Sequence, residues 1–230
     1  MLRRAVSVSR IHTVAWPLLI AWPVGILLVA FLIPWVIFAL VDTDETSITG
    51  SVSAVLGFTL AFYTGAMTQT FPFALGMSVT RRDYFAATLL VAAAQIFGTA
   101  VVLWGLGLIE EATDGWGVKM VMFDVPGQFT GNPLIQLATY LAILALIGGV
   151  GLVTGALYQR WRVTGLYTFL ATLLLGLGVA AIVITWQSWW PEVGRWFADT
   201  PRAVPMVLLP AVLALACTAG AWATIRRATA

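Results

Sequence analysis

The sequence predicts an all-helical membrane protein with six transmembrane helices, and three observations support that class. Hydrophobic residues make up 60% of the 230 residues and charged residues only 10%, which is unlike a soluble globular protein. The apolar runs exceed the roughly 20 residues that a helix needs to cross a bilayer core of about 30 Å. The basic residues, finally, cluster in alternate connections. Residues 1–230 are therefore expected to form a single transmembrane domain.

The six spans are predicted at residues 16–41, 52–77, 84–109, 133–158, 164–187 and 204–225, the apolar runs that polar breaks separate. Each run is more than about twice as long as a barrel strand and lacks its strict alternation, which favours helices. The first run follows arginines, as in a signal peptide, but it exceeds the roughly 7 to 15 residues of a cleavable core and is expected to remain as a span. Residues 1–15 are a candidate helix on the cytoplasmic surface, where arginines are attracted to anionic lipid.

The breaks between the later spans differ in length and charge. SVTRRD separates the second span from the third and QRWRV the fourth from the fifth, so these two breaks are short and basic. The other three breaks are longer and contain nine of the ten acids: DTDETSITGS, EEATDGWGVKMVMFDVPGQFTGN and SWWPEVGRWFADTPRA. Their Gly, Pro, Asn and Asp residues are typical of loops that end helices.

Orientation follows from the basic residues, which concentrate on the cytoplasmic side of membrane proteins. If the N-terminus is cytoplasmic, nine of the twelve basic residues lie inside and nine of the ten acids lie outside. Both termini are therefore predicted to be cytoplasmic. The preference for arginine over lysine, with abundant Ala, Gly and Val, indicates a high-GC bacterium, so the expected location is the bacterial cell membrane.

The residues that usually carry chemistry are scarce in this sequence. One cysteine, Cys217, and one histidine, His12, cannot build a disulfide or a metal site of the usual ligand number within one chain. No predicted span carries a charge near its middle, which disfavours ion-coupled transport and intramembrane hydrolysis. A Gly-rich phosphate loop is also missing, so this chain is expected to bind no cofactor, and any ATP and Mg²⁺ would be bound by another chain.

Two groups of residues within the predicted spans have two possible roles each. Polar side chains there line a substrate pathway or make hydrogen bonds between helices, and the candidates are Tyr63, Gln69, Gln95, Gln136, Tyr140 and Thr172. Small residues at helical spacing permit close helix approach, either within the subunit or at a dimer seam, and these are Gly57, Ala61, Gly65, Gly151 and Gly155.

The segment FPFALGMSVTRRDYF, residues 71–85, interrupts the apolar sequence at the second break. Ser78 or Thr80 can cap the helix that begins there, and the spacing of Thr80 and Asp83 is close to that of a capping box, with a carboxylate near the positive helix end. The segment also resembles the loop between the second and third spans of type-2 ATP-binding-cassette export permeases. In that family a short proline-containing segment is followed by a hydroxyl residue, two arginines, an acid and an aromatic residue. Six spans, inner termini and the chain length extend this resemblance to the whole chain.

The resemblance implies a permease subunit without its own nucleotide site, and therefore not itself an enzyme. Two such subunits, identical or homologous, pair in the lipid membrane around a pathway, and a cytoplasmic ATPase docks beneath each. No nucleic acid is expected as a partner. The resemblance places the ATPase contact, a coupling helix, at Gly76, Met77, Ser78, Val79, Thr80, Arg81, Arg82 and Asp83. It also places outer re-entrant helices between residues 186 and 202.

The sequence is also compatible with two other classes of protein. A substrate-binding membrane subunit of a vitamin-type importer has a similar size and about six spans, and it binds its energising partner through patches of small residues. A membrane protein that transports nothing, such as a self-protection factor, would also fit the composition.

Overall fold

The computed structural model describes residues 21–41 and 46–227, which form α-helices and one short pair of parallel strands. Strand β1 (Ser47–Ile48) pairs with β2 (Met120–Val121), with Ser47 opposite Met120. The helices are α1 (Trp22–Val41), α2 (Ser53–Gly65), α3 (Phe71–Gly76), α4 (Arg81–Ala112), α5 (Pro133–Trp186), α6 (Trp190–Asp199) and α7 (Leu209–Ile225). The candidate surface helix over residues 1–15 and the start of the first predicted span lie outside the described residues.

Four helical segments are long and apolar enough to cross a membrane: Trp22–Val41, Arg81–Ala112, Pro133–Trp186 and Val204–Ile225. Large apolar side chains along them are exposed, as in Leu174 at 69% and Leu215 at 71%. Such surfaces are stable in a lipid environment and costly in water. The all-helical class and the membrane-spanning length of these helices, both predicted from the sequence, are confirmed.

The second predicted span consists of α2, a wider π-type turn over Ala66–Thr70, and α3, which follow one another without a gap. Pro72 lacks a backbone N–H, so it cannot donate to the carbonyl of Thr68 as a regular helix requires. Gln159 of α5 instead donates its Nε2 to that carbonyl at 2.8 Å. The wide turn is therefore stabilised by a side chain from a neighbouring helix.

Helix α5 has 54 residues and is kinked at Arg162, whose backbone lies at φ 55° and ψ −148°. The kink lies inside QRWRV, where the sequence predicts a polar break, and the interruption is limited to this one residue. QRWRV contains none of the Gly, Pro or Asn residues that usually end a helix. The kink divides α5 into a first arm (residues 133–161) and a second arm (residues 163–186), and none of the second arm is buried.

The packed interior forms around the first arm of α5, between α2 and α7. Gly151 lies so close to α2 that an added Cβ would be 2.8 Å from the carbonyl oxygen of Leu60. Gly149 lies equally close to α7, with the Ala214 carbonyl oxygen 3.0 Å from an added Cβ. Small residues therefore permit backbone-to-backbone packing on both sides of this arm.

Helix α6 lies within the segment where the resemblance implies outer re-entrant helices. All but one of its residues are exposed. Glu192 and Arg195 form an ion pair at 2.9 Å on its surface.

Candidate functional site

The loop predicted as a partner contact is a tight turn between α3 and α4. The backbone of Ser78 adopts a left-handed conformation at φ 62°, and the N–H of Val79 donates to the carbonyl of Ala74 at 3.1 Å. Thr80 is the N-cap of α4, and its hydroxyl accepts a hydrogen bond from the N–H of Asp83 at 3.1 Å. The capping interaction predicted from the sequence is thus present, while residues 77–80 form no separate helix.

Two side chains that follow the turn attach it to distant parts of the bundle. The hydroxyl of Tyr84 donates to the carbonyl of Ala66 at 2.5 Å, inside the π-type turn. The Nη1 of Arg81 donates to the carbonyl of Arg226 at 3.1 Å, just beyond the end of α7. The turn is therefore bonded directly to the second predicted span and to the end of α7.

The two arginines of the turn have different surroundings. Arg81 is partly buried and contacts the end of α7, whereas Arg82 is exposed and faces a groove between α4 and α7. The sequence alone gives no reason to assign Arg81 and Arg82 different contacts.

The exposed surface of the turn is apolar at two positions. Phe73 is 62% exposed and Met77 is 59% exposed. We call these two residues, together with exposed Pro72 and Gly76, the turn patch. Exposed apolar side chains at such a helix end contact either lipid or a partner protein.

The polar candidates for a substrate pathway do not lie together. Tyr63 is fully buried and donates its hydroxyl to Oε1 of Gln95 at 2.7 Å, an interhelical bond. Gln136 and Tyr140 are buried and donate to the carbonyls of Thr130 and Phe123 in the loop after α4. The remaining two are exposed: Gln69 lies in the π-type turn, and Thr172 donates to the Thr168 carbonyl in the second arm.

The loop after α4 folds over a buried carboxylate near the end of that helix, which sequence reasoning missed. Glu110 is 1% exposed, and its two oxygens accept hydrogen bonds from the backbone N–H groups of Met122, Phe123 and Asp124 at 2.8 to 3.2 Å. The indole Nε1 of Trp116 donates to the same carboxylate at 2.9 Å. Its neighbour Glu111 is exposed. Nothing in the sequence distinguishes these adjacent acids, since only the folded loop directs its N–H groups at one of them.

Glu110 and Glu111 also border a pocket of about 260 Å³ with Asp114, Lys119 and Asp124. Burial, with Glu111 and Glu110 nearby, raises the pKa of the Asp124 carboxyl above its ordinary value. Within residues 21–41 and 46–227, no group of three His, Cys, Asp or Glu side chains is arranged to hold a metal ion.

The small residues of the spans separate into two groups. Gly151 and Gly155 pack against α2 and the π-type turn, where an added Cβ at Gly155 would lie 2.6 Å from the Cβ of Met67. Gly57 and Gly65 have no atom within 4 Å of an added Cβ, and Ala61 between them is exposed. One group therefore packs within the subunit, and the other forms an open stripe on α2.

No known protein family, curated protein or solved structure matches this chain.

Proposed function

We propose that this chain is the transmembrane permease subunit of an ATP-driven exporter, and that a separate cytoplasmic ATPase binds the turn between α3 and α4. The observation that carries the proposal is the anchoring of this turn, through Tyr84 to Ala66 and through Arg81 to Arg226. A partner that pushes on an anchored turn moves helices, whereas a partner bound to a mobile loop does not. The resemblance of residues 71–85 to the ATPase-contacting loop of type-2 export permeases agrees with this role.

The proposal includes six membrane spans, and the helix lengths support it. Residues 53–76 form a run of about 36 Å at about 1.5 Å per residue, and the arms of α5 measure about 43 Å and about 36 Å. Each exceeds a hydrocarbon core of about 30 Å. A straight α5 would instead extend about 80 Å, so a kink at Arg162 suits two spans better than one.

In the proposed mechanism, closure of the ATPase pair on ATP displaces the turn towards the membrane. Arg81 pulls on the end of α7, and Tyr84 acts on the wide turn at Ala66. The π-type turn lacks one regular helix bond because of Pro72, so it is a suitable place for α2 and α3 to bend. Alternating access would then result from helix tilting around the packed first arm of α5.

The packing of α5 removes one of the two small-residue surfaces that the importer alternative would use, whereas the stripe of Gly57, Ala61 and Gly65 on α2 stays open. That class of subunit binds its partner through patches of small residues, but Gly151 and Gly155 contact α2 and the π-type turn of the same chain. They are not available to a partner. The exposed turn patch is available.

We expect Met77→Glu to reduce the amount of ATPase that copurifies with the detergent-extracted chain by about tenfold, because a buried charge replaces an apolar contact. The experiment needs a Walker-type ATPase encoded beside this chain, which is co-expressed with it and quantified by immunoblot; the absence of such a gene would itself weaken the proposal. Replacing Arg81 and Arg82 together by glutamate should also weaken the complex without altering membrane insertion.

The matched control for Met77→Glu is Phe129→Glu. Phe129 is 60% exposed and lies at the opposite end of α4 from the turn. If Phe129→Glu removed the ATPase while Met77→Glu retained it, the contact would lie at the other membrane face and the proposal would be wrong.

The open stripe of Gly57, Ala61 and Gly65 is the proposed contact with a second permease copy. We expect Gly57→Leu to raise the dissociation constant of the dimer at least about fivefold, since a large side chain separates the two backbones. Single-molecule counting in vesicles measures this. The control is Gly98→Leu on α4, where an added Cβ also meets nothing within 4 Å. A dimer insensitive to Gly57→Leu would place the contact elsewhere.

A further inference from the structure

A groove runs along the outside of the bundle between α4 and α7. Near the turn its volume is about 680 Å³, and it is lined by Phe85, Ala86, Leu89, Leu215, Ala219 and Trp222, with Arg82 at its end. It continues into a second cavity of about 450 Å³ that shares Leu89, Leu215 and Thr218. The two cavities are therefore neighbouring parts of one groove along the helices. The groove is open to the side, where Leu89 is 36% and Leu215 is 71% exposed.

The depth of the groove results from small residues on its floor. Gly148, Gly149 and Ala214 line the second cavity, together with Ala92 and Ala93. The polar groups there are already paired: Thr218 donates its hydroxyl to the Ala214 carbonyl at 2.8 Å, and Tyr63 donates to Gln95. The floor thus presents a hydrocarbon-like surface, which suits an aliphatic chain and gives a polar ligand little to bind.

The length of the groove matches one leaflet of a bilayer. From Ala211 to Trp222 it follows α7 for about 16 Å at about 1.5 Å per residue. One leaflet of the hydrocarbon core is about 15 Å deep. A single acyl chain would therefore fill it from the interface to the membrane centre.

The end of the groove is basic and aromatic. Phe85 packs against Trp222 with ring centroids 5.3 Å apart, which closes the groove beside Arg82. No carboxylate among the described residues lies within ion-pair distance of Arg82. The guanidinium is thus available to a phosphate at the depth where tryptophan marks the interface.

We infer that this groove binds one anionic phospholipid, with its phosphate at Arg82 and one acyl chain between α4 and α7. This site goes beyond the proposed transport function and does not depend on an ATPase. The lipid would lie next to the hydrogen bond from Arg81 to the Arg226 carbonyl. An occupied groove would therefore fix the spacing between α4 and α7 at the end where the turn is attached.

The test uses phosphatidylglycerol with a photoreactive diazirine in one acyl chain, mixed into phosphatidylcholine nanodiscs that hold the full chain. We expect cross-links on the groove residues of α4 and α7. We expect Arg82→Gln to lower the cross-link yield about fivefold, because it removes a phosphate contact that salt screens at the membrane interface. Filling the groove with Ala219→Phe or Ala86→Phe should lower the yield at least as much. Both alanines are exposed, so these variants do not disturb the core.

Matched controls distinguish this site from general lipid contact. Arg160→Gln removes an arginine outside the groove, and Ala216→Phe adds a ring on an exposed position of α7 that does not line it. Both should leave the cross-link yield unchanged, and a diazirine phosphatidylcholine should not depend on Arg82. The inference is overturned if Arg82→Gln and Ala219→Phe leave the yield unchanged. It is equally overturned if Leu215→Cys, in a Cys217→Ala background, forms a disulfide between two copies, because a second chain would then occupy the groove.

Discussion

Glu110→Ala is expected to lower the stability of the chain by about 4 kcal/mol, because three backbone N–H groups and an indole N–H lose a shared acceptor. The loop cannot easily supply a replacement. Phe31 of α1 packs on Trp116 with ring centroids 4.9 Å apart, and Phe123 is 2% exposed. The unpaired groups would remain buried unless the whole loop left the bundle. Thermal unfolding of the purified chain in detergent measures the loss.

Hydrogen exchange separates a local effect from a global one. In Glu110→Ala, the amides of residues 122–124 should exchange faster by several orders of magnitude, whereas amides in the first arm of α5 should change only as much as global stability does. Glu111→Ala is the matched control, since it removes the same side chain from an exposed neighbouring position. Equal effects of the two substitutions would show that the carboxylate does not organise the loop.

The contrast between Glu110 and the turn shows which features a sequence can predict. The Thr80 cap depends on residues three positions apart, so local spacing predicts a cap at Ser78 or Thr80, and the structure shows that Thr80 is the cap. The acceptor role of Glu110 depends on N–H groups 12 to 14 residues away, in a loop whose backbone follows no periodic pattern. Arg81 presents the same difficulty, because its partner Arg226 is 145 residues away.

Hydrophobic run length predicts the positions of the helices well, but it does not predict how long the breaks between them are. The third predicted span, 84–109, lies within α4, which extends three residues beyond it at each end. The break predicted at QRWRV is present as a kink, but it is limited to Arg162, because none of the five residues is a Gly or Pro. Pro72, by contrast, does not end its helix. The helix widens into the π-type turn, and Gln159 donates to the Thr68 carbonyl in place of the missing Pro72 N–H.

Gly151→Leu is expected to lower stability by about 3 kcal/mol or more, because α2 and the first arm of α5 must separate to admit the side chain. An added Cβ alone would lie 2.8 Å from the Leu60 carbonyl oxygen and 2.9 Å from the Cβ of Tyr63, so backbone has to move. The displacement would also strain the bond between Tyr63 and Gln95.

The control is Gly176→Leu on the second arm of α5, where an added Cβ meets nothing within 4 Å. That substitution should not destabilise the chain, since leucine has the higher helix propensity by up to about 1 kcal/mol. Thermal unfolding of both variants in the same detergent makes the comparison. If the two glycines gave the same result, the first arm would not be packed against α2, and the turn would have no rigid bundle to act on. A large effect at Gly151 alone would instead establish the packed core that the proposed coupling from the turn to α4 and α7 requires.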